Sequence, residues 1–376
     1  MKRSIVLIFA AVLAPASYAV TLANAVGVYH WGGQYTTSMS EGVQRIENLG
    51  GHVARVVLSP RYYSEYNTGQ GCYLNYSLSA LAHEPDVKSA LDNPSITVFM
   101  LTAFDGTTFA NCQPVYLNLS FYTAANTAAL VQEYSDFTLY LYETYQHTIK
   151  RFIVADWEGD NAVYCQAASE YVNNPQFQTY CNSNYAAIYG NQSPAESMQA
   201  LLLWHQARQQ GIAAGRQRAA AEGIGGMRVY YAPEFCITHE LHDAGFQSVL
   251  YDVLPAVIFD YVSYSAYESI NSANPGDTLT ADLGVIQDVI GSNAIIIGES
   301  GFAQSIWGAD AATRTDAVIN AALSWGVAYV IQWNLYDQDA QDSYGLFDLN
   351  GNATPLGAYF QNKFNDAAKY PGLRAE

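Results

Sequence analysis

Ile295-Ile296-Ile297-Gly298-Glu299-Ser300-Gly301 decides how this chain is read. Three consecutive β-branched residues with no polar alternation describe a strand buried on both faces, as in a parallel sheet covered by helices. The strand ends in a carboxylate held between glycines, which let backbone or ligand approach closely. Working outward, seven further apolar runs have the same character: Val26 to Trp31, Val53 to Ser59, Ile96 to Ala103, Phe152 to Trp157, Met227 to Pro233, Phe259 to Ser265 and Val327 to Trp333, with Ala294 to Glu299 as the seventh of eight in chain order. Each is followed by a stretch compatible with a helix. Eight strand-helix units predict a closed (β/α)8 barrel rather than an open sheet, and in such a barrel the carboxyl ends of the strands carry the functional residues.

The clearest helix follows the fourth run. Ser193-Pro194-Ala195-Glu196 offers an N-cap, a proline at the first helical position and a capping-box glutamate. Met198, Leu201, Leu202 and Trp204 continue its apolar face, and Gly223 is a natural stop. The segments after strands two, three and four are long, so enlarged βα loops are expected on one side of the mouth. The cysteines fall in those places: Cys72 after strand two, Cys112 after strand three, Cys165 and Cys181 after strand four, and Cys236 after strand five. A Cys72–Cys112 bridge would tie neighbouring loops and Cys165–Cys181 would close the fourth, although pairing of Cys236 with either of the latter stays open. No CxxC pair is present.

The chain starts with Met1-Lys2-Arg3, an apolar run from Ile5 to Leu13, and small residues before cleavage points after Ala19 or Ala25. This is the layout of a secretory leader, and the apolar run is too short to cross a bilayer. Residues 1–25 are therefore expected to be the leader and residues 26–376 a single barrel domain, secreted or periplasmic and monomeric, with no membrane attachment once the leader is removed. The formal charge of −18 becomes −20 without Lys2 and Arg3, which makes nucleic acid and acidic polysaccharides poor partners. Thirty tyrosines and only 13 % charged residues give surfaces with a flat apolar face and a hydroxyl rim, suited to neutral sugar rings.

Glu299, ending strand seven, is the first catalytic candidate. Arg151-Phe152-Ile153-Val154-Ala155-Asp156-Trp157-Glu158-Gly159-Asp160 supplies the second at the end of strand four. Alternation along a strand places Asp156 and Glu158 on one face, with Glu158 furthest toward the mouth. Hydrolysis of a glycosidic bond needs one protonated carboxyl group and one that attacks or activates water. Strands four and seven stand on opposite walls, so Glu158 and Glu299 can flank one bond at about 5–6 Å, the spacing of a retaining enzyme. Trp157 beside Glu158 favours its protonated form by desolvation. Asp156 and Asp160 stay open as alternative acids. Arg55, inside strand two, can hold a carboxylate ionised. Tyr264 or Tyr267 can donate to Glu299. Trp31, Trp157, Trp333, Asn334 and Glu234 are candidates for contact with substrate, although Trp31 equally suits packing of the barrel. His239-Glu240-Leu241-His242 lacks the spacing of a metal site, and no nucleophile elbow, Walker loop or dinucleotide fingerprint is present, so neither metal nor cofactor is expected.

Arg55, Glu158, Tyr264 or Tyr267, Gly298-Glu299-Ser300-Gly301, Gln332-Trp333-Asn334 and the closing Tyr344-Gly345-Leu346-Phe347-Asp348 with Asn350-Gly351-Asn352 together resemble the clan of retaining (β/α)8 glycoside hydrolases that contains many cellulases and mannanases. The resemblance spans nearly the whole mature chain. It implies Glu299 as nucleophile and Glu158 as acid/base, acting on a neutral poly- or oligosaccharide. Where the clan has Asn-Glu after strand four, this chain has Trp157-Glu158, which removes the usual partner of the sugar 2-hydroxyl. Asp156-Trp157-Glu158 also resembles the end of the chitinase-type motif, with Val262-Ser263-Tyr264 similar to its strand-six tyrosine; Glu158 would then be the acid and a substrate acetamido group the nucleophile. The earlier aspartates of that motif are replaced by Arg151 and Val154. A non-catalytic carbohydrate-binding barrel is the reading from another class.

Overall fold

A computed structural model describes residues 19–374 other than 33–36, 67, 70, 74, 75, 340–342, 367 and 368. The expected leader lies outside the described residues as far as residue 18.

All eight expected strands form, with ends shifted by up to three residues. They are β1 (Val26–His30), β2 (Val53–Leu58), β3 (Val98–Ala103), β4 (Arg151–Ala155), β5 (Arg228–Ala232, continued by Glu234–Phe235), β6 (Val262–Ser265), β7 (Ile295–Ser300) and β8 (Val330–Gln332). Neighbours pair in parallel around a circuit, with Val28 beside Ala54, Arg55 beside Met100, Leu101 beside Val154, Ile153 beside Tyr230, Val262 beside Ile295, Ile297 beside Val330, and Val330 in turn beside Val26. Closure occurs within β5, which changes partner at Pro233. Arg228–Ala232 pairs with β4 and Glu234–Phe235 with β6, while Ser263 N–H donates to Pro233 O at 2.9 Å. A proline has no N–H to give a ladder and is tolerated where a strand switches neighbours.

Strands buried on both faces explain the unbroken apolar runs: every residue of β2, β3 and β7 is buried. Arg55 is the one charged residue of β2 and is as buried as the valines beside it.

The surrounding helices are α1 (Met39–Asn48), α2 (Pro85–Asp92), α3 (Ala124–Tyr145), α4 (Pro194–Ala221), α5 (Pro275–Ile290), α6 (Asp310–Trp325) and α7 (Pro355–Phe364). After β5 the chain makes only the short helical segments Glu240–Asp243, Val249–Val253 and Leu254–Ala256. Helix α4 begins at Pro194 and is left at Gly223, whose φ of 74° is the left-handed conformation that terminates helices. Its expected capping box does not form. The Ser193 side chain caps nothing, because the Ser193 carbonyl takes the Glu196 N–H at 3.2 Å and the Glu196 carboxylate turns back to Gln192 N–H at 2.7 Å.

The enlarged loops follow β2, β3 and β4. The third carries the small hairpin Phe109–Ala110/Gln113–Pro114, and the fourth carries three helices, Gly159–Val163, Ala168–Asn173 and Pro175–Tyr189. Disulfides join Cys72 to Cys112 and Cys165 to Cys181, as expected, while Cys236 is a buried free thiol.

Candidate active site

The mouth of the barrel is organised around Arg55. A guanidinium has five N–H groups in a fixed fork, and burying it is tolerable only when all of them are used. Arg55 Nε donates to Thr102 Oγ1 of β3 at 2.9 Å. Nη2 donates to the Asp156 carbonyl beyond β4 and to Glu234 Oε1 of β5, both at 2.9 Å. Nη1 donates to Glu234 Oε2 at 2.7 Å and to the Gly298 carbonyl of β7 at 2.9 Å. The Tyr29 ring of β1 lies 4.4 Å from the guanidinium carbon. One side chain thus ties five strands together. It also explains Gly298: a Cβ there would come within 2.1 Å of Ser263 Oγ and 2.2 Å of Glu234 Oε2.

Glu234, expected as a candidate for contact with substrate, is instead the partner of Arg55. It is fully buried, and besides the two bonds from Arg55 its oxygens accept Ser263 Oγ–H at 2.5 Å and the Glu158 backbone N–H at 3.2 Å. Four donors saturate it, and the structure places it beneath the mouth rather than at a surface a substrate reaches. Its position two residues beyond Ala232, just after the strand-switching Pro233, was the available signal.

Glu158 comes after β4 has ended. The strand stops at Ala155, so the alternation expected to align Asp156 with Glu158 does not apply. Glu158 has φ 29° and ψ 68°, a left-handed conformation uncommon for a glutamate, and it immediately precedes the helix Gly159–Val163. Its side chain is 5 % exposed and Asn161 Nδ2 donates to Oε2. Burial, followed by the negative charge of Glu234, pushes its carboxyl up to about 7.

Glu299 is 3 % exposed, and Oε1 has no hydrogen-bond partner among the described residues; the nearest cation is Arg55 Nη1 at 3.5 Å. Burial drives its carboxyl well above the usual range. Arg55 opposes that rise, the charges of Glu158 and Glu234 add to it, and a hydrogen bond from Tyr267 opposes it again. Glu158 and Glu299 therefore lie in one another's field, and their titrations are linked.

Of the two tyrosine candidates, only Tyr267 reaches Glu299. The β6–β7 register shifts after Tyr264, and Tyr264 turns away, its hydroxyl 2.7 Å from Ser269 Oγ and its ring stacked on Phe235 at 4.9 Å. The alternative acids are also engaged elsewhere. Asp156 Oδ1 accepts the Glu234 N–H at 3.1 Å and lies 3.3 Å from Arg208 of α4. Asp160 accepts the backbone N–H groups of Cys236, Ile237 and Val249 at 3.1, 3.3 and 2.8 Å, pinning the loops after β4 and β5 together.

Trp333 follows β8 through a cis peptide to Asn334 and stands edge-on to Tyr29 at 4.9 Å. Trp31 lies 5.7 Å from it and donates its indole N–H to Glu65 of the second loop. Both rings, like Trp157, are partly exposed. Asn334 is buried, and neither its amide nitrogen nor its oxygen has a partner among the described residues. His239 pairs with Asp282 at 2.9 Å, and no group of three or more potential metal ligands occurs among the described residues.

No family model matches the sequence, and no curated protein matches it. Solved structures do. A GH5_18 protein from Bifidobacterium longum subsp. infantis is 14 % identical over 93 % of this chain and 80 % of its own, with a TM-score of 0.57. Beta-glycosidase BGL167 is 15 % identical over 94 % of this chain and 99 % of its own, with a TM-score of 0.56. A GH5_18 protein from Streptomyces cattleya, solved in complex with Manb1-4GlcNAc, is 13 % identical over 93 % of this chain and 82 % of its own, with a TM-score of 0.54. In fold, this chain is a single (β/α)8 barrel with enlarged second, third and fourth loops, similar to the barrels of these glycoside hydrolases.

Proposed function

We propose that the protein is an exported glycoside hydrolase that cleaves a neutral poly- or oligosaccharide by retaining double displacement, with Glu299 as nucleophile and Glu158 as acid/base. The observation that carries this reading is how the acids at the mouth divide. Asp160 and Glu234 have both oxygens engaged by backbone N–H groups, a hydroxyl or a buried cation, and Asp156 is 1 % exposed with its Oδ1 taken by the Glu234 N–H beside Arg208. Glu299, at the end of β7, keeps Oε1 without a partner among the described residues, and burial of its carboxyl is opposed by Arg55 and a hydrogen bond from Tyr267, which favour the ionised form. Glu158 has no cation in contact among those residues, and burial with the Glu234 charge pushes its carboxyl up to about 7.

In the first step Glu299 attacks the anomeric carbon while Glu158 gives its proton to the departing oxygen. In the second, Glu158 takes a proton from water as that water displaces Glu299 from the sugar, restoring both groups. Arg55 and Tyr267 steady the Glu299 carboxylate when it is released. Trp31, Trp157 and Trp333 offer rings to sugar faces, and Asn334 offers an unused amide. Solved neighbours include one in complex with Manb1-4GlcNAc and one named as an exo-beta-1,4-mannosidase, which makes β-linked mannosides the first substrates to try.

The chitinase-like alternative finds less support, since Asp156 would have to turn toward an acetamido group and is held instead by Arg208 and the Glu234 N–H. Export is supported by the two disulfides. The test is a panel of aryl β-glycosides and neutral β-glycans, with the anomer released first followed by proton NMR. A β product forming before mutarotation is expected. A first-formed α product contradicts retention, and binding without turnover on every substrate leaves the non-catalytic barrel.

A further inference from the structure

We propose that Glu234 is a positioning residue of this site: by engaging Arg55 with both oxygens and accepting the Glu158 N–H, it fixes the acid/base in place and holds the guanidinium back from Glu299. The inference rests on the glycosidase reading for its purpose, although not for its geometry.

The geometry starts from the five N–H groups of Arg55. All are used by Thr102, Asp156 O, Gly298 O and the two oxygens of Glu234, so Glu299 receives only the 3.5 Å approach of Nη1. An arginine free to pair fully with Glu299 would hold that carboxylate in two hydrogen bonds and make it a poorer nucleophile. Glu234 keeps the cation close enough to steady a released carboxylate without consuming it.

The second half concerns Glu158. Its left-handed backbone has to be over-determined by its surroundings, and the N–H to Glu234 Oε1 contact at 3.2 Å is one such restraint. Ser263 Oγ–H on Oε2, at 2.5 Å, locks the Glu234 carboxylate itself, and the missing Cβ of Gly298 leaves room for it. A salt bridge serving stability alone has no need to touch the backbone of one reacting residue and limit the cation available to the other.

The ionisable groups around Glu234 are Tyr29 from β1, Arg55 from β2, Asp156 and Glu158 beyond β4, Cys236 next along its own segment, and Glu299 from β7. Its negative charge raises the carboxyls of Asp156, Glu158 and Glu299, while Arg55 lowers them. Replacing Glu234 with glutamine removes that charge and frees Arg55 to close on Glu299. Both reacting carboxyls then titrate lower, by about one pH unit.

The experiment is a carbon-13 NMR titration of glutamate side-chain carboxyls in the whole folded protein, without substrate, in wild type, Glu234→Gln and Glu234→Asp. Glu158→Gln and Glu299→Gln spectra assign the two signals. Both carboxyls are expected to titrate lower in Glu234→Gln and to return toward wild type in Glu234→Asp, which keeps the charge. A folded Glu234→Gln protein with both carboxyls titrating as in wild type overturns the proposal while leaving the glycosidase reading intact. Absence of turnover by wild type on every glycoside sinks that reading while the titration still decides this one. Should Glu234→Gln fail to fold, Glu234→Asp carries the test. It draws the oxygen away from the Glu158 N–H, so kcat on an unactivated glycoside is expected to fall about tenfold or more with KM little changed. Undiminished kcat in that variant overturns the proposal.

Discussion

Arg55 and Glu234 meet as a two-point ion pair, Nη1 to Oε2 at 2.7 Å and Nη2 to Oε1 at 2.9 Å, with neither side chain exposed to solvent. Breaking such a pair from one side strands a charge in the barrel. Arg55→Met or Glu234→Met alone is therefore expected to cost about 3–5 kcal/mol of unfolding free energy, whereas the double variant costs less than either single change. Urea unfolding of the three proteins checks this. A double variant as unstable as the two single losses added together contradicts it.

The pH dependence follows from the direction of the Glu158 shift. A general acid has to carry its proton to donate it, and burial with Glu234 nearby sets that loss at about 7. The kcat/KM for a substrate with a poor leaving group is expected to fall as pH rises through this value. For an activated aryl glycoside, whose leaving group departs without help, the fall is shallower. Profiles for both substrates over pH 5–9 check this, and a rate that stays level to pH 9 on the poor leaving group contradicts it.

Peptide mapping without reduction is expected to find Cys72 joined to Cys112 and Cys165 to Cys181, with Cys236 unreactive in the native protein because it is buried and its thiol is pushed up. Replacing Cys165 and Cys181 by serine opens a link of 16 residues and is expected to cost about 2–4 kcal/mol. Native labelling of Cys236 at the rate of a free thiol contradicts the placement.

The start of the mature chain is expected after Ala19 and not after Ala25. Leu22 and Ala23 are buried, the Ala23 carbonyl accepts the His52 N–H at 3.0 Å, and the Ala25 carbonyl accepts the Val330 N–H at 3.0 Å. Cleavage after Ala25 would remove part of that packing. N-terminal sequencing of the exported protein decides it, and a sequence beginning at Val26 contradicts the expectation.

The barrel was legible because most of its strand residues are buried, whichever face they point to, and so read as largely apolar runs, Ile295-Ile296-Ile297 most plainly. Glu299 was legible for the same reason, since the strand that precedes it fixes where it points. What lay beyond the strand ends was harder. Glu158 has left the strand, so counting alternate residues from Phe152 does not describe it. The register shift after Tyr264 likewise separates Tyr264 from Tyr267 in a way that parity does not reveal. Glu234 reads as a substrate contact because Pro233 ends the apolar run before it and its partner Arg55 is 179 residues away in the sequence. Contacts of that range are set by barrel closure, which no local pattern records.

The most direct test of Glu299 as nucleophile and Glu158 as acid/base is the azide rescue of two variants on an activated aryl glycoside that wild type hydrolyses. A nucleophile and an acid/base leave different traces when an external anion replaces them. Glu158→Ala with azide is expected to regain turnover and give a glycosyl azide of retained configuration. Glu299→Ala with azide is expected to give the inverted one, and Glu299→Gln without azide to be inactive on every substrate. Near-normal turnover by Glu299→Gln, with Glu158→Gln dead on N-acetylated substrates alone, would contradict these roles and make the substrate's acetamido group the nucleophile instead of Glu299.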